Sequence, residues 1–385
     1  MTKRILIAAA AAAGALGCAS DPNYGALDAT PPPVDTAPPP VDAGSNNPVA
    51  PPAGVVALGV RWLGRVDTTS EPTHPRFSWS GSGFVARFDG TSLSAALAIN
   101  GPAMIFKAVV DGTPQPAFTA TGGGTTTNVL ASGLAAGVHT VELYRQTEGP
   151  QGDSRLISLT VGDGTLMDPP AGASRLLEFV GDSITCGYGV LGALGDSDCF
   201  PTESHWDTYG AIAGRALGAE VSTIAASGRG ITRNYGGDTG GTMPMIYKHA
   251  VTNAPTPEWD FHVEPQAVVI NLGTNDISNG KGDPGDAFRD TYRTLLETVR
   301  AEYPHTVIVC IIAPLLNGGD LTTIARHIQD AVDARRAAGD TNVEFFNQIP
   351  AQMADKYACQ YHPNVAENIM MADLLVGELK AKLGW

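Results

Sequence analysis

The residues able to do chemistry in this chain fall in four short polar blocks. Gly181-Asp182-Ser183 supplies a hydroxyl, and Ala226-Ser227-Gly228-Arg229-Gly230 supplies a backbone that another group can approach closely. Gly273-Thr274-Asn275-Asp276 supplies an amide, and Tyr361-His362-Pro363-Asn364 an imidazole. A serine hydroxyl is a weak nucleophile until a base takes its proton, and the oxyanion that follows its attack needs convergent donors. A serine, a base and convergent donors of this kind make up a set for acyl transfer. Each block alone has a plainer reading. Gly-Asp-Ser caps a helix, Gly-Thr-Asn-Asp makes a turn, and a histidine before proline satisfies a buried contact. Asp182 and Asp276 read as structural, fixing loops through hydrogen bonds.

What favours the chemical reading is where the blocks stand. The run Leu176–Val180 stops at Gly181, Glu220–Ala225 is a short strand, and Ala267–Leu272 is a buried one. Asp286–Tyr303 reads as an amphipathic helix before the strand Thr306–Ile312. Leu321–Ala338, Val343–Phe346 and Asn364–Leu383 continue as helix, strand and helix, and Thr208–Leu217 also has helical spacing. Strands alternating with helices predict a parallel sheet with helices on both faces, over residues 174–385. Ligands of such sheets bind beyond the carboxyl ends of the strands, where three blocks lie; the fourth opens the last helix. Residues 55–165 follow a different pattern. Val60–Val66, Phe84–Phe88, Ser94–Ile99, Ile105–Val110, Gly137–Tyr144 and Arg155–Val161 are short strand-like runs parted by turn residues, which predicts a β-sandwich or jelly roll. Asp168–Gly172 links the two domains.

The four blocks, in this order, resemble the SGNH (GDSL-type) hydrolases. The sandwich ahead of them, Gly181–Gly189, Thr202-Glu203, Tyr209-Gly210-Ala211 and Cys359–Asn364 are similar to carbohydrate esterase family 2. That resemblance implies an SGNH-type α/β fold preceded by a β-sandwich, and a metal-free serine esterase removing acetyl groups from xylan, glucomannan or a related polysaccharide. It also implies that Ser183 is the nucleophile and His362 the general base, and that the Ser183 N–H, the Gly228 N–H and the Asn275 side chain are the oxyanion donors. One departure concerns the acid of the triad: the family's two usual positions for it hold Cys359 and Gln360. A dyad is therefore expected, with a main-chain carbonyl of the Cys359–Tyr361 turn orienting His362. Trp206, Trp259, Tyr361 and Arg229 are candidates to line the substrate pocket, since sugar rings stack on aromatic faces.

The chain has 385 residues and a net charge of −15. So acidic a surface argues against nucleic acid or an anionic membrane as partner. Lys3-Arg4, the apolar stretch Ile5–Leu16 and Ala15-Leu16-Gly17 read as an export signal over 1–18. Cys18 follows as in a bacterial lipoprotein signal, although Leu16 stands one place nearer the cysteine than usual; lipidation there would be the one membrane contact. Residues 19–54, rich in proline, read as an extended spacer. The protein is thus expected at the cell surface or outer membrane, or else secreted, and as a monomer. The remaining cysteines, 186, 199, 310 and 359, allow three connectivities, and Cys186–Cys199 with Cys310–Cys359 is the expected pairing. No metal-ligand spacing is present, so no cofactor is expected and chelators should leave activity unchanged. Two other readings stand beside the esterase: a surface carbohydrate-binding protein with a degenerate hydrolase domain, and an SGNH esterase of non-carbohydrate esters.

Overall fold

The computed structural model describes residues 59–385 apart from 313 and 351–353. The leader, Cys18 and the proline-rich spacer lie outside the described residues. The N-terminal part is two antiparallel sheets facing one another. One runs in the order Val60–Leu63, Gly83–Gly90, Gly137–Arg145, Met104–Val110, Thr113–Pro114, with Thr165–Met167 and Phe118–Ala120 pairing at its sides. The other runs Arg76–Phe77, Asp153–Gly162, Ser92–Asn100, Gly124–Ala131. Strand Ser92–Asn100 alternates between half-exposed and buried residues up to its exposed last residue, Asn100, because one face meets the core and the other faces outward. Phe77, Phe84, Phe88, Leu97, Phe106 and Leu143 fill the space between the sheets.

The C-terminal part holds a five-stranded parallel sheet in the order Glu220–Ala225, Leu176–Gly181, Ala267–Asn271, Val307–Ile311, Val343–Phe346. Strand Ala267–Asn271 is buried at every residue, since helices cover both faces. Val268, Ile270, Ile308 and Cys310 point toward helices Gly285–Glu302 and Gly318–Ala337. Leu177, Phe179, Val269 and Ile311 point toward Tyr209–Leu217 and Val365–Leu383. Helix Tyr209–Leu217 starts where the Thr208 hydroxyl accepts the Ala211 N–H and stops at Gly218, whose φ of 60° leaves helical space. Replacing such a cap by alanine costs about 1 kcal/mol. In this strand order the chain leaves the first strand to one side and returns on the other. That places a crevice beyond the carboxyl end of Leu176–Gly181, immediately before Ser183.

The two parts share a buried polar seam. The Arg65 guanidinium, fully buried, donates to Glu178 Oε2 at 3.0 Å and to the Tyr247 carbonyl, and lies over the Tyr247 and Phe261 rings. The Tyr247 hydroxyl donates to the other Glu178 oxygen at 2.8 Å. Burying an arginine–glutamate pair is costly, and here both terminal nitrogens of Arg65 are met while its Nε has no partner.

Candidate active site

Ser183 opens the single helical turn Ser183–Cys186 at the carboxyl end of the first strand. Asp182 caps that turn, its Oδ1 accepting the Ile184 N–H at 3.1 Å. His362 follows the short turn Cys359–Tyr361, in which Gln360 and Tyr361 take φ values of 49° and 67°. Two adjacent non-glycine residues in the left-handed region are strained, and they persist only where the surroundings hold them. Here they turn the chain so that the imidazole faces the serine.

Ser183 Oγ stands 2.8 Å from His362 Nε2, and His362 Nδ1 stands 3.2 Å from the Cys359 carbonyl oxygen. A carbonyl can only accept, so Nδ1 carries the proton. Nε2 is left as the acceptor that a general base requires. The expected main-chain orienter of His362 is what the structure shows. Burial holds the imidazole below its ordinary value of 6.5, while the Cys359 and Gln360 carbonyls favour the charged form. Tyr188 packs edge-on against the ring at 4.9 Å between centroids.

The Ser227-Gly228 pair forms the corner of a turn closed by the Arg229 N–H to the Ala226 carbonyl at 3.3 Å. Gly228 has a φ of 76°, as the third residue of a type II turn requires. A Cβ there would meet nothing nearer than Tyr235 at 3.6 Å, so backbone conformation, rather than space, demands the glycine. Among the described backbone contacts, the N–H groups of Ser183 and Gly228 close no turn. Asn275 sits in the single turn Thr274–Ile277 and donates through Nδ2 to Asp182 Oδ2 at 3.1 Å and to the Arg229 carbonyl at 2.8 Å. Both amide protons thus have acceptors, and donation to an oxyanion needs one of these bonds to become three-centred or to open. Burial, with Asp276 adding to it, pushes the Asp182 carboxyl up to about 7. Asp276 is structural as expected, accepting the N–H groups of Ile231, Thr232 and Arg233 between 2.8 and 3.1 Å.

The cysteines depart from expectation. Cys199 pairs with Cys359, their Cα atoms 5.7 Å apart, while Cys186 and Cys310 are free and buried. Neither Cys186–Cys199 nor Cys310–Cys359 forms. Cys310 lies inside its strand with its side chain in the sheet–helix core, out of reach of any loop. Cys186 points beneath the nucleophile's turn, its sulfur 3.5 Å from Ser227 Oγ. The observed bridge ties the loop after Tyr188 to the turn that bears His362. Gly189 lies against it, and a Cβ there would come within 2.7 Å of Cys359 Cβ.

The aromatic candidates separate. Tyr361 is 61% exposed beside His362 and packs against Tyr357. Trp206 instead lines a cavity of about 360 Å³ between the domains with Tyr144 and Arg215, and neither Ser183 nor His362 lines it. The Arg215 guanidinium lies over the Trp206 ring at 4.0 Å, and the Lys107 ammonium is 5.6 Å from the same ring. Trp259 packs on His262 near Arg65, at the seam. The Arg229 side chain reaches toward the Gly240 carbonyl at 3.5 Å. Tyr235, absent from the sequence-based candidates, is 53% exposed, and its N–H holds the Gly228 carbonyl at 2.8 Å. Among the described residues no group of three or more His, Cys, Asp or Glu side chains is placed to hold a metal ion.

A serine at the switch point of a parallel sheet, faced by a histidine from the mouth of the last helix, defines a serine hydrolase of the GDSL class. Residues 179–368 match the model of the GDSL-like lipase/acylhydrolase family, and residues 62–170 that of the carbohydrate esterase 2 N-terminal domain. The structure of a family two carbohydrate esterase from Clostridium thermocellum in complex with cellohexaose superposes with a TM-score of 0.80 at 37% identity, covering 85% of this chain and 99% of that one. Cellulase/esterase CelE of Acetivibrio thermocellus is 37% identical over 330 residues; these are 85% of this chain but only 40% of CelE. An acetylxylan esterase/glucomannan deacetylase of Cellvibrio japonicus is 27% identical over 336 residues, 82% of this chain and 88% of that protein. The chain belongs to carbohydrate esterase family 2.

Proposed function

We propose that this protein is a serine esterase that removes acetyl groups from a polysaccharide such as xylan or glucomannan through an acyl-enzyme. The observation that carries this reading is the 2.8 Å contact between Ser183 Oγ and a His362 whose tautomer is set by the Cys359 carbonyl. Ser183 attacks the acetyl carbonyl as Nε2 takes its proton. The oxyanion is met by the Ser183 and Gly228 N–H groups and the Asn275 amide. Collapse expels the sugar oxygen, which takes the proton back from His362. Water, deprotonated by His362, then attacks the acetyl-serine and releases acetate. The names of the Cellvibrio japonicus and Acetivibrio thermocellus relatives support the acyl group and the class of substrate.

The test is acetate release from acetylated xylan, glucomannan and chitin oligomers, together with turnover of p-nitrophenyl acetate, by wild type and Ser183→Ala. Release from the plant-type polymers that is lost in the variant is expected. Turnover of p-nitrophenyl acetate with none of the oligomers would point to a non-carbohydrate ester. The cellohexaose complex of a relative gives the binding-protein reading some footing. Glucan binding with no Ser183-dependent turnover would favour it. The leader and Cys18 support export with a lipid anchor, and a disulfide in the C-terminal domain supports export alone. Retention of a Cys18→Ala variant in the membrane fraction would count against the anchor.

A further inference from the structure

The seam between the two domains passes directly under the catalytic loops, and one side chain of the sandwich crosses it there. Glu148 lies just beyond the strand Gly137–Arg145 and is 1% exposed. Its Oε2 accepts the backbone N–H of Ser227 at 2.6 Å and lies 3.5 Å from the Cys186 sulfur. Ser227 immediately precedes Gly228 in the turn that presents an oxyanion donor, and Cys186 ends the helical turn that Ser183 opens. A single carboxyl group from the N-terminal domain therefore touches the backbone of the turn that bears Gly228 and the side chain that ends the turn opened by Ser183.

Glu148 is itself held firmly. Its own N–H donates to Glu203 Oε2 at 3.2 Å, and its carbonyl accepts from the buried Arg145 guanidinium at 3.0 Å. Arg145 is locked by the Thr147 carbonyl at 2.7 Å, the Gly152 carbonyl at 2.8 Å and the Ser154 hydroxyl at 2.8 Å. The loop is thus held from both domains, and beside Glu148 the Gln146 side chain also accepts across the seam, from the Trp206 N–H at 2.8 Å.

We propose that Glu148 is a positioning residue for catalysis: its Oε2 anchors the Ser227 N–H and so fixes the Gly228 N–H against the Ser183 turn. The inference rests on the esterase reading and gives the N-terminal domain a part in the reaction. In a type II turn the direction of the third residue's N–H depends on the central peptide, which can flip when the turn is not held from outside. Glu148 holds the Ser227 side and the Tyr235 N–H holds the Gly228 carbonyl. An oxyanion donor contributes only when it is aimed in advance at the point where charge develops.

The experiment compares Glu148→Ala, Glu148→Asp and Glu148→Gln with wild type and Ser183→Ala, on p-nitrophenyl acetate and on an acetylated xylan oligomer. Loss of one oxyanion donor slows such enzymes about 10²–10³-fold. A misaimed donor should therefore lower kcat in Glu148→Ala about tenfold to a hundredfold with KM nearly unchanged. Glu148→Asp, whose oxygen falls short of Ser227, should lose a similar amount. Glu148→Gln keeps an acceptor at full reach and should recover most of what alanine loses. A merely structural role would lower the melting temperature of Ala and Gln alike without this ordering in kcat. If Glu148→Ala does not fold, the ratio of Gln to Asp decides. Asp and Ala variants within twofold of wild type in kcat, or a loss carried by KM, would overturn the inference and leave the esterase reading intact. A wild type no faster than Ser183→Ala would overturn both.

Discussion

The two sides of the dyad are built on different principles. Ser183 stands where a buried parallel strand passes into a helical turn, and every neighbour that fixes it is noncovalent. Asp182 caps its turn, and Asn275 binds Asp182. His362 stands on a turn with two strained residues, and that turn is fastened by a disulfide to the loop after Tyr188. The serine is positioned by the sheet and the histidine by a cross-link. The difference follows from where the chain can supply order. A strand end in the middle of a sheet inherits the rigidity of its neighbours, whereas the segment entering the last helix has only the isolated bridge of Tyr357 with Pro363 beside the disulfide.

Removing the reacting group on either side should have the largest effect. Ser183→Ala and His362→Ala are each expected to lower kcat by several orders of magnitude, about 10⁴-fold or more, as members of such units do. Because the two act together, the double variant should be no slower than the worse single one. Additive losses in a double-mutant cycle of kcat would mean that they do not form one unit.

Loosening the cross-link should distinguish the sides. Cys199→Ser, or reduction of the wild type, is expected to lower kcat about tenfold to a hundredfold, because an imbalance of even 1 Å in the base's position has effects of that order. Phosphonate labelling of Ser183 should slow in parallel, since it also needs the base. The sheet itself should stay intact, with the far-ultraviolet circular dichroism unchanged. Activity within twofold of wild type after complete reduction, checked by thiol titration, would show that the turn holds itself.

The same contrast explains what could be read from the sequence. The strand ends of the parallel sheet were legible because Val, Ile and Leu runs stop abruptly at polar residues, as Leu176–Val180 does at Gly181. Strand Gly124–Ala131 left no such trace. It is a Thr-rich edge strand with only Leu130 and Ala131 buried, and nothing in its pattern demands a sheet. The cysteine pairing failed because spacing along the chain carries no information on which loops meet. A signal did exist for Cys310: alternation places it with Ile308 and Ile312 on one buried face, where no partner loop reaches. Glu148 had no local signal, being 79 residues from the Ser227 it holds.

The pH profile sharpens the comparison at a smaller scale. His362 works only as the neutral base, and burial lowers its affinity for a proton. Activity should therefore rise with pH through a midpoint below 6.5 and be lost as pH falls through it. Asp182, on the serine side, is pushed up to about 7; protonation there removes an acceptor from Asn275. A second, shallower step near 7 is expected in kcat, absent in Asp182→Asn. A single step above 6.5 that survives Asp182→Asn would contradict both assignments.

The smallest effect is expected at Gln360, one of the two positions where an acid would complete a triad. Its side chain turns away from the imidazole and donates to the Ser197 carbonyl at 3.1 Å. The acceptor for His362 Nδ1 is main chain, which no side-chain replacement at 360 removes. Gln360→Ala loses the Ser197 contact and keeps a Cβ at a φ of 49°, so the turn should be slightly less well held while the tautomer is unchanged. A fall in kcat of less than about tenfold is expected, against several orders of magnitude for His362→Ala. Gln360→Gly removes the backbone strain at this residue and, if the strain matters, should be the more stable of the two variants, by about 1 kcal/mol. A loss in Gln360→Ala approaching that of His362→Ala would place the orienting group in the side chain and take it away from the Cys359 carbonyl.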